Sequence, residues 1–414
     1  MPTGTVYDVI VIGAGPAGSS AAFHLARQGV RVLLLDKVAF PRPKTCGDGL
    51  TPRALHALAE MGIAPGDIPH AWRIDSALVI APDGRGVVVK PPSTTGWPDY
   101  MLIAPRLWLD NLLVEHALKA GATFENRVHA RRLGYEDEIL TVDGEREGKT
   151  VQYRGKLGIV ATGASLPLLK TSGIVTRQTR LVLATRAYIE DLPPLPSPHQ
   201  MQFCFKGVPL PGYGWVFPLS ETSANIGLGI FPGKHGHGKS PLTSSPAQAL
   251  GGFLVNPEIQ TVLGKNYRMV SDWQGYPIRT DYLSSRVVGE GFILAGEAAG
   301  LVNPLTGDGI DYALESGKLA ADFLCGLLRQ GDLSRAALRG YHRILRRNYH
   351  SLFLFSDLVE QYAASPTRLN RLVELAERYP VLARGLSRIL LGADPPRRVF
   401  GYALKKILTR ITQI

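Results

Sequence analysis

Cysteine is scarce in this chain: 414 residues hold three, Cys46, Cys204 and Cys325. No C-x-x-C spacing joins them, so neither a disulfide framework nor a thiolate metal site is indicated, and no bound metal is expected. Long apolar runs are also missing. None reaches the ~20 residues that a membrane-spanning helix needs, and no secretory leader precedes the first strand-like run. These two lacks predict a cytoplasmic protein, soluble or lying on a membrane surface. Charge is sparse at 20% of residues, with a formal excess of +11. Residues 331–414 carry 15 Lys and Arg against 6 Asp and Glu, which leaves an excess of only two for the first 330. A basic surface of this kind attracts anionic lipid headgroups as well as phosphate in RNA. Apolar residues are interleaved with the charge, which favours a membrane over nucleic acid. A plain solvated surface would use the same residues.

Against these lacks stands a dense signal near the start. Residues 7–36 read YDVIVIGAGPAGSSAAFHLARQGVRVLLLD. The apolar run 9–12 predicts a strand, the alanine-rich stretch to Arg27 a helix, and 32–35 a second buried strand ending in Asp36. G-x-G-x-x-G in the first turn of a βαβ unit, with an acid 18 residues after the last glycine, is a dinucleotide site. Gly13 permits the tight turn, Gly15 lets the backbone approach a pyrophosphate, and Gly18 lets helix and strand pack closely. Pro16 and Ala17 open the helix whose positive end faces the phosphates, and Asp36, followed by Lys37, is placed for a ribose.

Residues 37–53, KVAFPRPKTCGDGLTPR, form a loop rich in Pro and Gly, with helix signals resuming near Ala54. A loop that leaves the carboxyl end of a parallel strand faces the cofactor, so Cys46 and Gly47 are candidates for the reacting centre. A cysteine in a glycine-rich loop is equally an ordinary structural choice. Residues 76–89 alternate as strands do, and Arg106 opens an amphipathic helix, where it can reach a phosphate or ribityl oxygen or make a surface ion pair. Residues 123–153 read as an antiparallel excursion, and 157–161 as a parallel strand ending in the Thr162-Gly163 turn.

From 180 to 282 the period becomes that of an antiparallel sheet. Within it YGWVFP places Tyr213, Trp215 and Phe217 on one face, with Pro218 at the end, as a pocket wall or an ordinary sheet core. GKHGHGKS at 233–240 matches the phosphate-loop pattern by letter, but Pro241 and Pro246 follow where a helix must start, so it reads as a flexible loop. At 291–309 an apolar strand leads to Glu297 and then NPLTGDG, with a helix from Ile310. An acid for ribityl hydroxyls, followed by a helix N-terminus aimed at the isoalloxazine, turns a general dinucleotide into FAD. In the tail, Phe400, Leu404, Ile407 and Leu408 recur at helical spacing apart from Lys405, Lys406 and Arg410, suiting an interfacial helix or one packed on the body.

Together PRPKTCGDGLTPRA (41–54), Y-x-W-x-F-P followed by Gly227-Leu228-Gly229, and NPLTGDGIDYALESG (303–317) resemble the geranylgeranyl reductase family of FAD-dependent oxidoreductases. The likeness covers residues 7–325 and implies an α/β fold, α+β overall. It comprises a Rossmann-like FAD-binding domain of the para-hydroxybenzoate-hydroxylase type, an inserted antiparallel-sheet substrate domain and a C-terminal helical region. The corresponding segments are 1–75, 101–178 and 286–330 for FAD, 76–100 and 179–285 for substrate, and 331–414 for the helices. The resemblance implies that Gly13, Gly15, Pro16, Ala17, Gly18, Asp36, Lys37, Arg106, Thr162, Gly163, Glu297, Pro304, Gly307, Gly309 and Ile310 hold FAD. It places Cys46 and Gly47 at the flavin and Tyr213, Trp215, Phe217 and Pro218 along a lipid cavity, with Cys46, Gly47 and Tyr213 as catalytic candidates.

The implied reaction saturates C=C bonds of an isoprenoid chain on a lipid, quinone or chlorophyll-type substrate by hydride transfer from reduced flavin. NADPH or another external donor, including an electron-donor protein, supplies the electrons, and contact with an anionic membrane is expected. An FAD monooxygenase or halogenase of the same fold is the alternative. Thr162 stands where related hydroxylases carry Asp, which weighs against it.

Overall fold

The apolar run 9–12 has no polar face to offer water, and it is buried on both sides, as a central parallel strand must be. The structure is a computed structural model that describes residues 5–231 and 246–396. The phosphate-loop look-alike at 233–240 and the basic segment 399–414 lie outside the described residues. Among those described, Val6–Ile12 sits inside a seven-stranded sheet, with Val32–Leu35 and Lys149–Val160 parallel on either side. Phe292–Leu294 pairs in parallel with the end of Lys149–Val160, while Ile139–Arg146 folds back antiparallel on its earlier part and Val128–Glu136 pairs antiparallel with Ile139–Arg146 in turn. Thr123–Glu125 departs from the expected antiparallel excursion: it runs parallel to Val32–Leu35 as an edge strand. The helix Arg106–Lys119 precedes it, and a helical crossover returns the chain in the parallel sense.

The helices Pro16–Arg27 and Ile310–Gln330 pack together on this sheet. Ser20 Oγ donates to the Leu314 carbonyl at 2.7 Å. Contact is so close that a Cβ on Gly317 would collide with the Ala17 carbonyl oxygen. Two chain segments nearly 300 residues apart thus share one backbone-to-backbone interface, and both begin their helices at the same edge of the sheet.

A second sheet of eight described strands carries the antiparallel pattern read from 180 onward. Its order is Arg268–Met269, Leu181–Glu190, Ala224–Ile230, Gly212–Pro218, Gln200–Cys204, Ser76–Ile80 and Gly86–Val89, with Gln274–Arg279 also on Leu181–Glu190. Ser76–Ile80 joins in parallel with Gln200–Cys204, which ties the early strands to the late ones. A third, small sheet of Gly49–Leu50, Met101–Ile103 and Trp72–Ile74 was not anticipated. Strands of two or three residues are too short to show a period. The helices Gly340–Ala363, Pro366–Arg378 and Pro380–Leu390 follow, and Tyr349 and Phe353 of the first bury their rings against Tyr312 and Tyr282.

The shared helix interface yields a contrast within one helix. Gly317→Val is expected to lower the unfolding free energy by roughly 1–3 kcal/mol through overpacking. Gly326→Ala, where nothing stands within 4 Å of the added carbon, is expected to raise it by about 0.5–1 kcal/mol. Urea unfolding of both variants checks this, and equal effects would contradict the packing described.

Candidate functional site

The glycine-rich turn forms where the carboxyl ends of the parallel strands meet. Gly13 has φ +103° and lies so near the end of Lys149–Val160 that a side chain there would strike the Ala161 carbonyl. Asp36 Oδ2 accepts the Ala14 amide at 2.8 Å and Oδ1 accepts the Val38 amide at 3.0 Å, so the acid holds the turn from the next strand. Helix Pro16–Arg27 begins at Gly15 with no side-chain cap, and Ile310–Gln330 begins at Gly309 likewise. Both leave amides at their start available to an anion, although in the second the Tyr312 amide is taken by Asp311 Oδ1 at 2.8 Å. Space above Gly15 is open to 3.8 Å, where Arg42 Nη2 stands. Lys37 is exposed at the rim.

The return segment meets this turn. A Cβ on Gly163 would sit 3.2 Å from Glu297 Oε2, so the Thr162-Gly163 turn and the Glu297 segment are neighbours. Glu297 Oε1 accepts the Arg279 amide at 3.1 Å, and Oε2 lies 4.0 Å from Lys44 Nζ, which itself rests 3.6 Å above the Tyr276 ring. Pro304 is buried, and Gly307 lies against the Tyr213 hydroxyl, which donates to the Thr306 carbonyl. Burial pushes Asp308 up to about 6 and, with the Asp308 charge added, Asp311 up to about 7. Two carboxyls beside the Ile310 helix start are thereby both shifted upward, toward the neutral form.

Arg106 corrects one of the readings left open from sequence. It is no surface ion pair: it is 5% exposed and grips the fully buried Asp110 through Nε at 2.6 Å and Nη2 at 2.8 Å. Burial opposes its charge, but the Asp110 carboxylate and the neighbouring Cys46 thiol together outweigh that. Arg42 adds a second cation 3.3 Å from Asp110. The loop that the sequence placed at the cofactor face is therefore anchored by charge, and its single thiol has a guanidinium beside it.

The same loop touches the aromatic face. Tyr213, Trp215 and Phe217 follow one another at ring separations of 6.2 and 6.0 Å, and Phe203 closes on the first and last at 5.4 and 5.2 Å. A Cβ on Gly47 would lie 2.9 Å from Phe217, so the Cys46-Gly47 backbone rests directly on the wall. Beneath it lies a polar cluster that sequence reasoning missed. Asp48 is fully buried in a left-handed conformation, φ +63°, and accepts from Tyr188 Oη at 2.6 Å and Asn225 Nδ2 at 2.8 Å. Arg186, 2% exposed, stacks on Tyr188 at 4.0 Å and reaches the Lys44 carbonyl at 3.4 Å. One signal for this cluster was present: Asn225 is a lone amide in the apolar strand run 224–230.

These residues fit FAD. Two helix starts without side-chain caps lie at the same edge of the sheet, the backbone at Gly15 has no atom nearer than 3.8 Å to an added carbon, and the Glu297 carboxylate is held by the Arg279 amide. FAD here would lie along Gly13, Gly15, Asp36, Glu297 and the 304–310 segment, with Cys46 and Gly47 at its reactive end.

The chain matches the family described as FAD binding domain over residues 6–349. It is 32% identical to digeranylgeranylglycerophospholipid reductase 1 of Methanopyrus kandleri over 350 residues, covering 84% of this chain and 88% of that one. Menaquinone reductase of Mycobacterium tuberculosis is 34% identical over 348 residues, 79% of this chain and 78% of its own. In fold the chain resembles a geranylgeranyl bacteriochlorophyll reductase-like protein of Thermoplasma acidophilum, with a TM-score of 0.78, 22% identity, and coverage of 93% and 99%.

Burial raises the Asp48 carboxyl to about 6 from 3.8, against the pull of Tyr188, Asn225 and Arg186. Between those values the folded chain keeps a proton that the unfolded chain releases, so stability falls as pH rises through that window. Asp48→Asn removes this share. From about pH 4 to about pH 7 the variant is expected to gain on the order of 3 kcal/mol relative to the parent. Urea unfolding at both pH values measures it; a constant difference between the two proteins would refute it.

Proposed function

The chain belongs to the FAD binding domain family, among the geranylgeranyl reductases, and on that premise we propose that it saturates C=C bonds of an isoprenoid chain carried by a membrane lipid or quinone. The observation that carries this reading is the meeting of the Cys46-Gly47 backbone with the Trp215 and Phe217 rings. A polar reaction needing one proton is set against a wall that offers an alkene nothing but apolar surface.

FAD, when bound and reduced, supplies a hydride to one carbon of the double bond. Cys46 holds the proton for the other carbon at Sγ, and Arg106 sets its charge at the sulfur that remains. Trp215, Phe217 and Pro218, all buried, keep water away and hold the chain in line. Tyr213 fixes the 304–309 loop through Thr306. Electrons come from NADPH or another external donor, including an electron-transfer protein.

An isoprenoid of ~20 carbons gains about 16 kcal/mol on leaving water, but it has already gained this in a bilayer. The cavity only matches the membrane, so the enzyme works docked on it. A crevice of about 20 Å³ lined by Leu210, Tyr213, Phe231, Leu305 and Ala363 links the aromatic wall to helix Gly340–Ala363. On that helix Leu354, Leu358 and Tyr362 follow at a spacing of four and are 44, 57 and 44% exposed, and the exposed Arg346 stands roughly two turns before them. An exposed apolar row with a basic start is the pattern of a helix lying in a headgroup layer. No helix among the described residues is long and apolar enough to cross a membrane. The Lys and Arg of 399–414, read from the sequence alone, add charge that an anionic surface attracts.

Two measurements test this. In the absence of oxygen, photoreduced enzyme mixed with a geranylgeranyl lipid is expected to reoxidise and add two hydrogens per bond. Cys46→Ala is expected to keep its flavin and lose about 10²–10⁴-fold in this rate. Reoxidation only by oxygen, with hydroxylated or halogenated product, would instead favour the alternative chemistry of the fold. Anionic liposomes are expected to float the protein at low salt and release it as salt rises. Leu358→Asp and removal of 399–414 each weaken this; flotation equal to the parent for both would defeat the docking surface.

A further inference from the structure

We propose that Asn225 is a positioning residue that fixes the Cys46 peptide and the Trp215 indole in one relation across the site. The proposal rests on the reading that these two groups meet the substrate, and the experiment separates the two. Asn225 has no exposed surface in a strand whose other members are Ala, Ile, Gly and Leu. A leucine would fill such a position without cost, whereas a buried amide is expensive unless every polar atom is paired.

Every polar atom of this side chain is paired. Its Oδ1 accepts Trp215 Nε1–H at 3.0 Å, and its Nδ2 donates to the Cys46 carbonyl and to Asp48 Oδ2, each at 2.8 Å. With one donor and two acceptors around it, only this orientation of the amide satisfies all three.

Register explains how one residue reaches both sides. Phe217, Asn225 and Tyr188 stand directly opposite one another on three adjacent strands. The wall, the amide and the Tyr188 hydroxyl therefore form one row, and the loop lies across it. Two nearby places, Gly227 in the neighbouring row and Asp48 in the loop, show the same arrangement. At Gly227 any side chain would collide with the indole, so the ring lies flat on the strand and brings Nε1 over Asn225. At Asp48 the left-handed conformation, unusual for a residue other than glycine, persists because Tyr188 and Asn225 hold its carboxylate. Released from Asn225, the Cys46 carbonyl loses its partner on the wall side and the loop its fixed height above the rings. A shift of about 1 Å at a reacting group is enough to cost a hundredfold in rate.

The test uses the FAD-loaded enzyme and two readouts. Cys204 and Cys325 are buried, with thiols pushed up to about 11, so Cys46 is the thiol open to iodoacetamide, and the other two report on global loosening. In Asn225→Ala, mass spectrometry is expected to show Cys46 alkylated roughly fivefold faster, with Cys204 and Cys325 unchanged. The kcat for alkene saturation is expected to fall about 10²-fold with KM within about twofold. Trp215→Phe leaves both amide donations intact, and its Cys46 is expected to react as in the parent.

An unchanged Cys46 rate in Asn225→Ala, or a parallel rise at all three cysteines, overturns the proposal. Should Asn225→Ala not accumulate as folded protein, Asn225→Leu is read by the same criteria, since it keeps the volume of the side chain and withdraws both donations. A parent enzyme inert toward isoprenoid lipids would defeat the functional reading alone, because the labelling result stands without turnover.

Discussion

The guanidinium of Arg279 is the joint between the two large sheets, and the site exists because that joint is polar and buried. It is 2% exposed, at the end of a strand of the antiparallel sheet. Its nitrogens go to the Asp281 carboxylate at 2.6 Å, the Ser285 hydroxyl at 2.8 Å and the Ala298 carbonyl, while its amide goes to Glu297. A buried arginine is tolerable only with such a full set of partners. The partners lie on the segment that re-enters the flavin-binding sheet, so satisfying the charge also fixes the Glu297 carboxylate. Arg186 stands on the adjacent strand Leu181–Glu190, where it reaches the Lys44 carbonyl and stacks on Tyr188. Two buried cations on neighbouring strands thus tie the antiparallel sheet to the Glu297 segment and to the cysteine loop.

How much of this was legible follows from the range of each signal. The βαβ unit could be read because its evidence is local: strand, glycines, helix and acid lie within 30 residues, and the helix Pro16–Arg27 and strand Val32–Leu35 stand where the pattern put them. Arg106–Lys119 began and ended as read, for the same reason. The aromatic face followed from the period of two alone. What failed to show was whatever depends on pairing at long range. The parallel placement of Thr123–Glu125, the three-stranded sheet and the partners of Arg106 all need a neighbour that periodicity does not name.

Asp48 and Asn225 show that limit most clearly. They are 177 residues apart and meet at 2.8 Å. In the sequence Asp48 stands between two glycines and looks like turn chemistry, which its positive φ bears out, but nothing in the loop tells that its carboxylate points inward. Asn225 carried a faint mark, a polar letter in an apolar strand. Its meaning depends on an indole ten residues earlier and a carbonyl near the start of the chain. Burial of polar groups is where function is concentrated here, and it is the property that composition and period report least.

Gly227 has one more consequence. The indole of Trp215 lies on bare backbone there, so the position of the aromatic wall is set from behind by a residue that presents no side chain. Adding a methyl at that hidden position would press on the ring and shift it off the strand while leaving every residue of the wall the same. Variation in chain length or branching among lipids can therefore be met by changing the support of the wall rather than its face.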